Sequence, residues 1–183
     1  METNSKIKAQ IKEEYGKVVY SYSTHQYCAN SLLKIDKKLK IVEIILGGLT
    51  SAGLVSLIAK YHIASAIVSA ILSFGLVVIA SFIKAGDYQI KAAKHAQTAL
   101  DLWRVREKYL SLLTDFDSLT EDEIKAKREE LLDETRKVYS YEERTTEKAY
   151  KRAQKALKEE GYQFFSKDEI NRLLPAHLRD EGE

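Results

Sequence analysis

The chain has 183 residues, 31% of them charged, with a net charge of +2 and one cysteine. That length fits one domain, or two at most. A single cysteine, Cys28, excludes an intramolecular disulfide and any metal cluster built on cysteine. The charge is unevenly spread: residues 1–40 carry a net +4, residues 84–113 a net +3, and residues 114–183 a net −5.

Residues 3–40 read as mostly helix, with no proline and only Gly16 as an interruption. Ile7, Ile11, Tyr15, Val18, Val19 and Tyr22 recur at helical spacing, and Tyr20 and Tyr27 add to an aromatic-rich face. Such a helix could lie on a membrane surface or pack on other helices. Glu13 and Glu14 interrupt any basic face, which favours packing. Lys34, Lys37, Lys38 and Lys40 then form a basic cluster suited to lipid headgroups. These first forty residues are too polar for a cleavable signal peptide, so the first apolar helix itself must direct insertion.

Two apolar runs follow. Ile41 to Ala59 contains one charge, Glu43, and Ile63 to Ile83 contains none; only Lys60, Tyr61 and His62 separate them. At 1.5 Å per residue the runs reach about 28 and 32 Å, close to a hydrocarbon core of about 30 Å. In lipid each must be a helix, because every backbone polar group needs a partner within the chain. The alternative, a buried hairpin in a soluble core, needs protein on every side. The other residues are too polar to provide it. Basic residues flank both outer ends, so the hairpin is expected to keep both termini in the cytoplasm and the short turn outside.

The runs are rich in small residues. Gly48, Ala52 and Ser56 fall four apart on the first helix, and Ser65, Ser69 and Ser73 on the second. Small faces let membrane helices approach closely. One face suffices for the hairpin, so a second points to self-association. An ionisable residue inside a membrane run is a functional candidate by default. Glu43 either sits at the headgroups near Lys40 or forms a carboxylate ring at a pore mouth, with the serines as a polar wall.

Residues 84–113 continue as helix, with a possible bend at Gly86. Ala93, Ala96, Leu100, Trp103 and Leu110 lie near a and d positions of a heptad. Residues 114–119 read as a loop. Thr120 with Glu123 and Ser166 with Glu169 have the spacing of capping boxes. They open a helix bearing Ile124, Leu131, Leu132 and Val138, and a short one ended by Pro175. Between them a helix from about Thr146 to Glu160 carries Ala149, Ala153, Ala156 and Leu157, with Gly161 as its stop. The expected fold is therefore all-α, a single domain over residues 1–183. A long N-terminal helix leads into a transmembrane hairpin, and the C-terminal helices at 84–113 and 120–183 form a cytoplasmic bundle. No glycine-rich phosphate loop or nucleophile elbow is present. His25, His62, His95 and His177 lack metal-ligand spacing, so neither catalysis nor a cofactor is expected.

The whole chain resembles the SLATT domains, two-transmembrane effectors of bacterial conflict systems. The resemblance rests on the hairpin at 41–83 and on AKHAQTALDLWRVREKYLSLLTDF after it. It rests further on RTTEKAYKRAQKAL from Arg144 to Leu157 and on FFSKDEINRLLPAHLR. It implies a non-catalytic effector of the bacterial inner membrane that assembles as a homo-oligomer and forms a pore or disrupts the bilayer in antiphage defence. It further implies a separate activating partner, a nucleotidyltransferase, nucleotide sensor or reverse transcriptase, and no direct nucleic-acid binding. The alternative is a passive membrane scaffold for such an enzyme.

Overall fold

The computed structural model of the chain describes residues 2–60 and 63–175. Among these residues there is no strand, in keeping with an all-α chain. The polar segment to residue 40 and the apolar run from Ile41 belong to one unbroken helix, α1, Glu2–Lys60. At 1.5 Å per residue it is about 89 Å long. The composition changes abruptly at Ile41, but the backbone has no reason to stop there. Residues 2–60 contain no proline, the residue that would remove a hydrogen bond from the ladder.

One seven-residue seam runs along most of α1. Ile11, Val18, His25, Leu32, Leu39, Leu46 and Gly53 form one row; Tyr15, Tyr22, Ala29, Asp36, Glu43 and Thr50 form its companion. All of these are buried or half-buried. A seven-residue repeat keeps one stripe in contact with a partner helix over a long distance. The partner changes along the way. α2 (Ile63–Gly86) packs antiparallel on the C-terminal part of α1, with Gly53 beside Ser69 and Leu46 beside Gly75. α3 (Tyr88–Asp115) returns along the N-terminal part, the most extensive contact in the fold.

The α2–α3 break falls at Gly86 and Asp87. Asp87 is left-handed, with φ of 48°, a conformation that aspartate tolerates better than most residues. A Cβ at 86 would collide with the Tyr88 ring as it lies, so a larger residue there would require that ring to turn away. Just below, the Asp36 carboxylate accepts from Lys40 Nζ and Gln89 Nε2, both at 2.9 Å. This ties α1 to α3 where the apolar and polar halves of the molecule meet.

The remaining helices complete the polar bundle. A short 3-10 turn, Phe116–Ser118, and then α4 (Glu121–Tyr141) follow. The capping box at Thr120 and Glu123 forms as expected, each side chain accepting from the other residue's backbone N–H. α5 (Glu147–Lys158) is capped by Thr146 and buries Ala149, Ala153, Ala156 and Leu157. The three alanines let it lie close against α1. α6 (Lys167–Leu173) is capped by Ser166. The core comprises Ile7, Ile11 and Val18 of α1, Leu102, Val105 and Tyr109 of α3, and Ile124, Leu131 and Val138 of α4.

The expected α3 stripe is displaced by one residue. Ala92, His95, Ala99, Leu102, Tyr109 and Leu112 are buried, whereas Ala93, Ala96, Leu100, Trp103 and Leu110 are exposed. α3 carries two adjacent apolar stripes, and the expected one lies at the edge of the contact with α1, where the Trp103 ring sits 5.5 Å from that of Tyr22.

Candidate functional site

The apolar hairpin is the first part of the site. Within residues 66–118, one stretch is long and apolar enough to cross a membrane, and 6% of its most apolar window is buried inside the chain. A soluble core helix would be buried on all sides; this one presents Ile67, Ile71, Phe74, Val77 and Phe82 outward. The α1 half of the hairpin likewise presents Ile44, Ile45, Leu49 and Val55.

The candidate residues divide between two surfaces. Glu43 is half-buried on the seam that faces α2, and Ser73 is half-buried on α2. Ser69 is 3% exposed, and its Oγ has no hydrogen-bond partner. It occupies the space that a Cβ at Gly53 would fill. The Gly53 Cα–H lies in that direction, so the close approach leaves the hydroxyl only a weak C–H contact. Gly48 and Ala52 are exposed, and a Cβ at 48 would meet nothing within 4 Å. The side chains of Ser56 and Ser65 lie outside the described residues. The hairpin contact thus uses Gly53 and Ser69, and the Gly48–Ala52 face is left free.

The second part was not legible from spacing. His25 on α1 and His95 on α3 meet in the bundle with Nδ1 atoms 2.9 Å apart. Their exposures are 1% and 5%. His25 Nε2 lies 3.2 Å from Glu142 Oε2, just past the end of α4. A carboxylate only accepts, so His25 carries its proton on Nε2 and offers Nδ1 as acceptor. His95 must then donate from Nδ1. A proton added at His25 Nδ1 would set two N–H groups against each other at 2.9 Å. Burial pushes both imidazoles below the ordinary histidine range, and for His95 the neighbouring His25 adds to this. Burial pushes the Glu142 carboxyl up. Glu143 is held low by Lys94, which donates to it at 2.7 Å. Both histidines lie on seams, but their meeting depends on the α1–α3 register, which no local signal gives.

Among the described residues no group of three or more His, Cys, Asp or Glu is arranged to hold a metal ion. No curated protein and no solved structure gives a match. Residues 7–169 match the family described as SMODS and SLOG-associating 2TM effector domain family 4. That span takes in both apolar helices, the histidine pair and the whole of α4 and α5. The chain therefore belongs to the SLATT family of two-transmembrane effector domains.

Proposed function

We propose that this chain is a non-catalytic, two-pass effector of the bacterial inner membrane, with both termini in the cytoplasm. It assembles with copies of itself and opens the bilayer in antiphage defence, when a separate partner acts on the polar bundle. The partner is a nucleotidyltransferase, nucleotide sensor or reverse transcriptase. The observation that carries this reading is the division of the small residues. Gly53 and Ser69 serve the hairpin, while Gly48 and Ala52 remain on the outer surface with room against them. In lipid, where tails are as apolar as the helices, close packing at small residues is the main drive for association. α1 supports the coupling, because one uninterrupted helix joins the bundle to the membrane. Carboxylate rings favour cations, so Glu43 at the inner mouth gives a cation preference.

The test is ion flux from proteoliposomes holding the purified full chain, with insertion and oligomer size measured in parallel. Parent protein should hold a potassium gradient on its own and release it when its activating partner is added. With the partner present, Gly48→Leu should insert equally well but assemble less and conduct about tenfold less, and Glu43→Gln should conduct with weaker cation preference. Protein that inserts, assembles and still holds the gradient with the partner present would leave the scaffold reading in its place.

A further inference from the structure

A cleft of about 230 Å³ opens between α1, the end of α5 and the segment after it, with Arg106 of α3 at its side. Three aromatic rings line it: Tyr15 and Tyr20 of α1 and Phe164. It suits a single small ring system, since pockets for drug-sized ligands run to about 300–1,000 Å³.

Two features of the cleft have no structural purpose of their own. The first is Gly16. A glycine inside a helix is unfavourable relative to alanine, and close packing is the usual compensation. At Gly16 an added Cβ would meet nothing within 4 Å. The second is a pair of orphaned polar atoms. Arg106 Nε and Gln163 Oε1 are both buried without a hydrogen-bond partner, and a buried polar atom left unpaired is destabilising. Gln163 also donates from Nε2 to Ser23 Oγ at 3.3 Å. Whichever way its amide is turned, one of its two polar atoms is left over. Gln163 itself is the third residue of a β-turn closed by Phe164 N–H donating to Gly161 O at 3.0 Å, and its φ of 69° belongs to that turn.

The chemistry of the walls selects the occupant. Flat rings stack on flat rings. Arg106 Nε–H can only donate, and a carboxamide pairs with an amide-like edge. Lys158, at the cleft lining, adds a cation for an anionic substituent. We infer that this cleft binds the base of a nucleotide: a planar nitrogen heterocycle stacked among Tyr15, Tyr20 and Phe164. Arg106 and Gln163 turn slightly to meet its edge, and Lys158 meets its phosphate. Gly16 is bare because a side chain there would fill the seat. The inference concerns binding alone and stands apart from any pore.

Equilibrium dialysis of the full chain in nanodiscs against AMP, GMP, CMP and UMP tests this directly. At least one should bind saturably, and its nucleoside should bind more weakly for want of the Lys158 contact. Trp103, the sole tryptophan, lies with its ring 4.6 Å from the Arg106 guanidinium, so its fluorescence should change with the same midpoint. Gly16→Leu should lower affinity about tenfold or more, and Gln163→Leu should weaken binding as well. Gly16→Ala should unfold at or above the parent's temperature, because alanine favours the helix. Failure of all four nucleotides to bind would overturn the inference. So would parent-like affinity in Gly16→Leu or, should that variant not fold, in Gln163→Leu.

Discussion

Gly53→Leu should separate the two apolar helices. A Cβ at 53 already collides with Ser69 Oγ, and leucine adds three more carbons at the same contact. Overpacking of this kind costs about 1–3 kcal/mol. The loss falls on a hairpin whose helices gain little from the hydrophobic effect once they are in lipid. The readout is a short thiol cross-linker applied to Leu46→Cys with Gly75→Cys, in a Cys28→Ser background. A Cβ at 75 lies 3.9 Å from the Leu46 side chain. With Gly53 in place the pair should cross-link nearly fully, and with Gly53→Leu several-fold less. Gly48→Leu is the control. Nothing lies within 4 Å of its Cβ, so the hairpin cross-link should persist although assembly weakens. Equal cross-linking in both variants would mean that Ser69 and Gly53 are not the contact.

Acidification should loosen the junction between α1 and α3. His25 and His95 both have folded-state pKa values below the unfolded value near 6.5. Between those values the unfolded chain binds more protons than the folded one, so stability falls as pH falls. Their contribution is complete above about pH 6.5 and is lost as pH drops through the folded values. Each unit of depression corresponds to about 1.4 kcal/mol. Glu142 acts in the opposite sense. Its raised pKa lowers stability as pH rises from its ordinary value of 4.5, which offsets part of the histidine effect at the acid end. The other groups facing this level are Glu143 and Lys94, paired with each other. On the α5 side, Tyr150 lies against Tyr20 and Arg152 over Tyr27. Thermal unfolding followed by circular dichroism should therefore show a falling midpoint from pH 7 to pH 5. His25→Leu alone should destabilise the bundle, by leaving His95 and Glu142 without their partner. His25→Leu with His95→Leu should be closer to the parent and should flatten the pH dependence. A parent midpoint that is level across this range would contradict the neutral-pair assignment.

The sequence made some of this visible and hid the rest for physical reasons. Capping boxes are local: Thr120 with Glu123 fixes a helix start whatever lies around it, so it can be read directly. The apolar runs are equally local, because lipid imposes length and composition together. Azimuth is not local. Gly48, Ala52 and Ser56 form a tidy four-residue row, yet the contact with α2 uses Gly53. The seam is set further along, where Val18, Tyr22 and His25 meet α3, and an unbroken helix carries that register into the apolar half. The same reason explains the one-residue displacement on α3. Leu100 and Trp103 look more apolar than His95 and Thr98, but the register of α3 on α1 turns the latter inward and leaves the former at the edge. The His25–His95 contact joins residues seventy positions apart and depends on that register too.

The central proposal is that α1 and α2 cross the bilayer and return, with only the residues near position 62 outside. Its most direct test is cysteine accessibility in intact spheroplasts. In a Cys28→Ser background, His62→Cys should react with a membrane-impermeant maleimide before lysis, while Asn4→Cys, near the start of the exposed end of α1, should react only after it. Reaction of His62→Cys only after lysis, or of Asn4→Cys before it, would contradict the account.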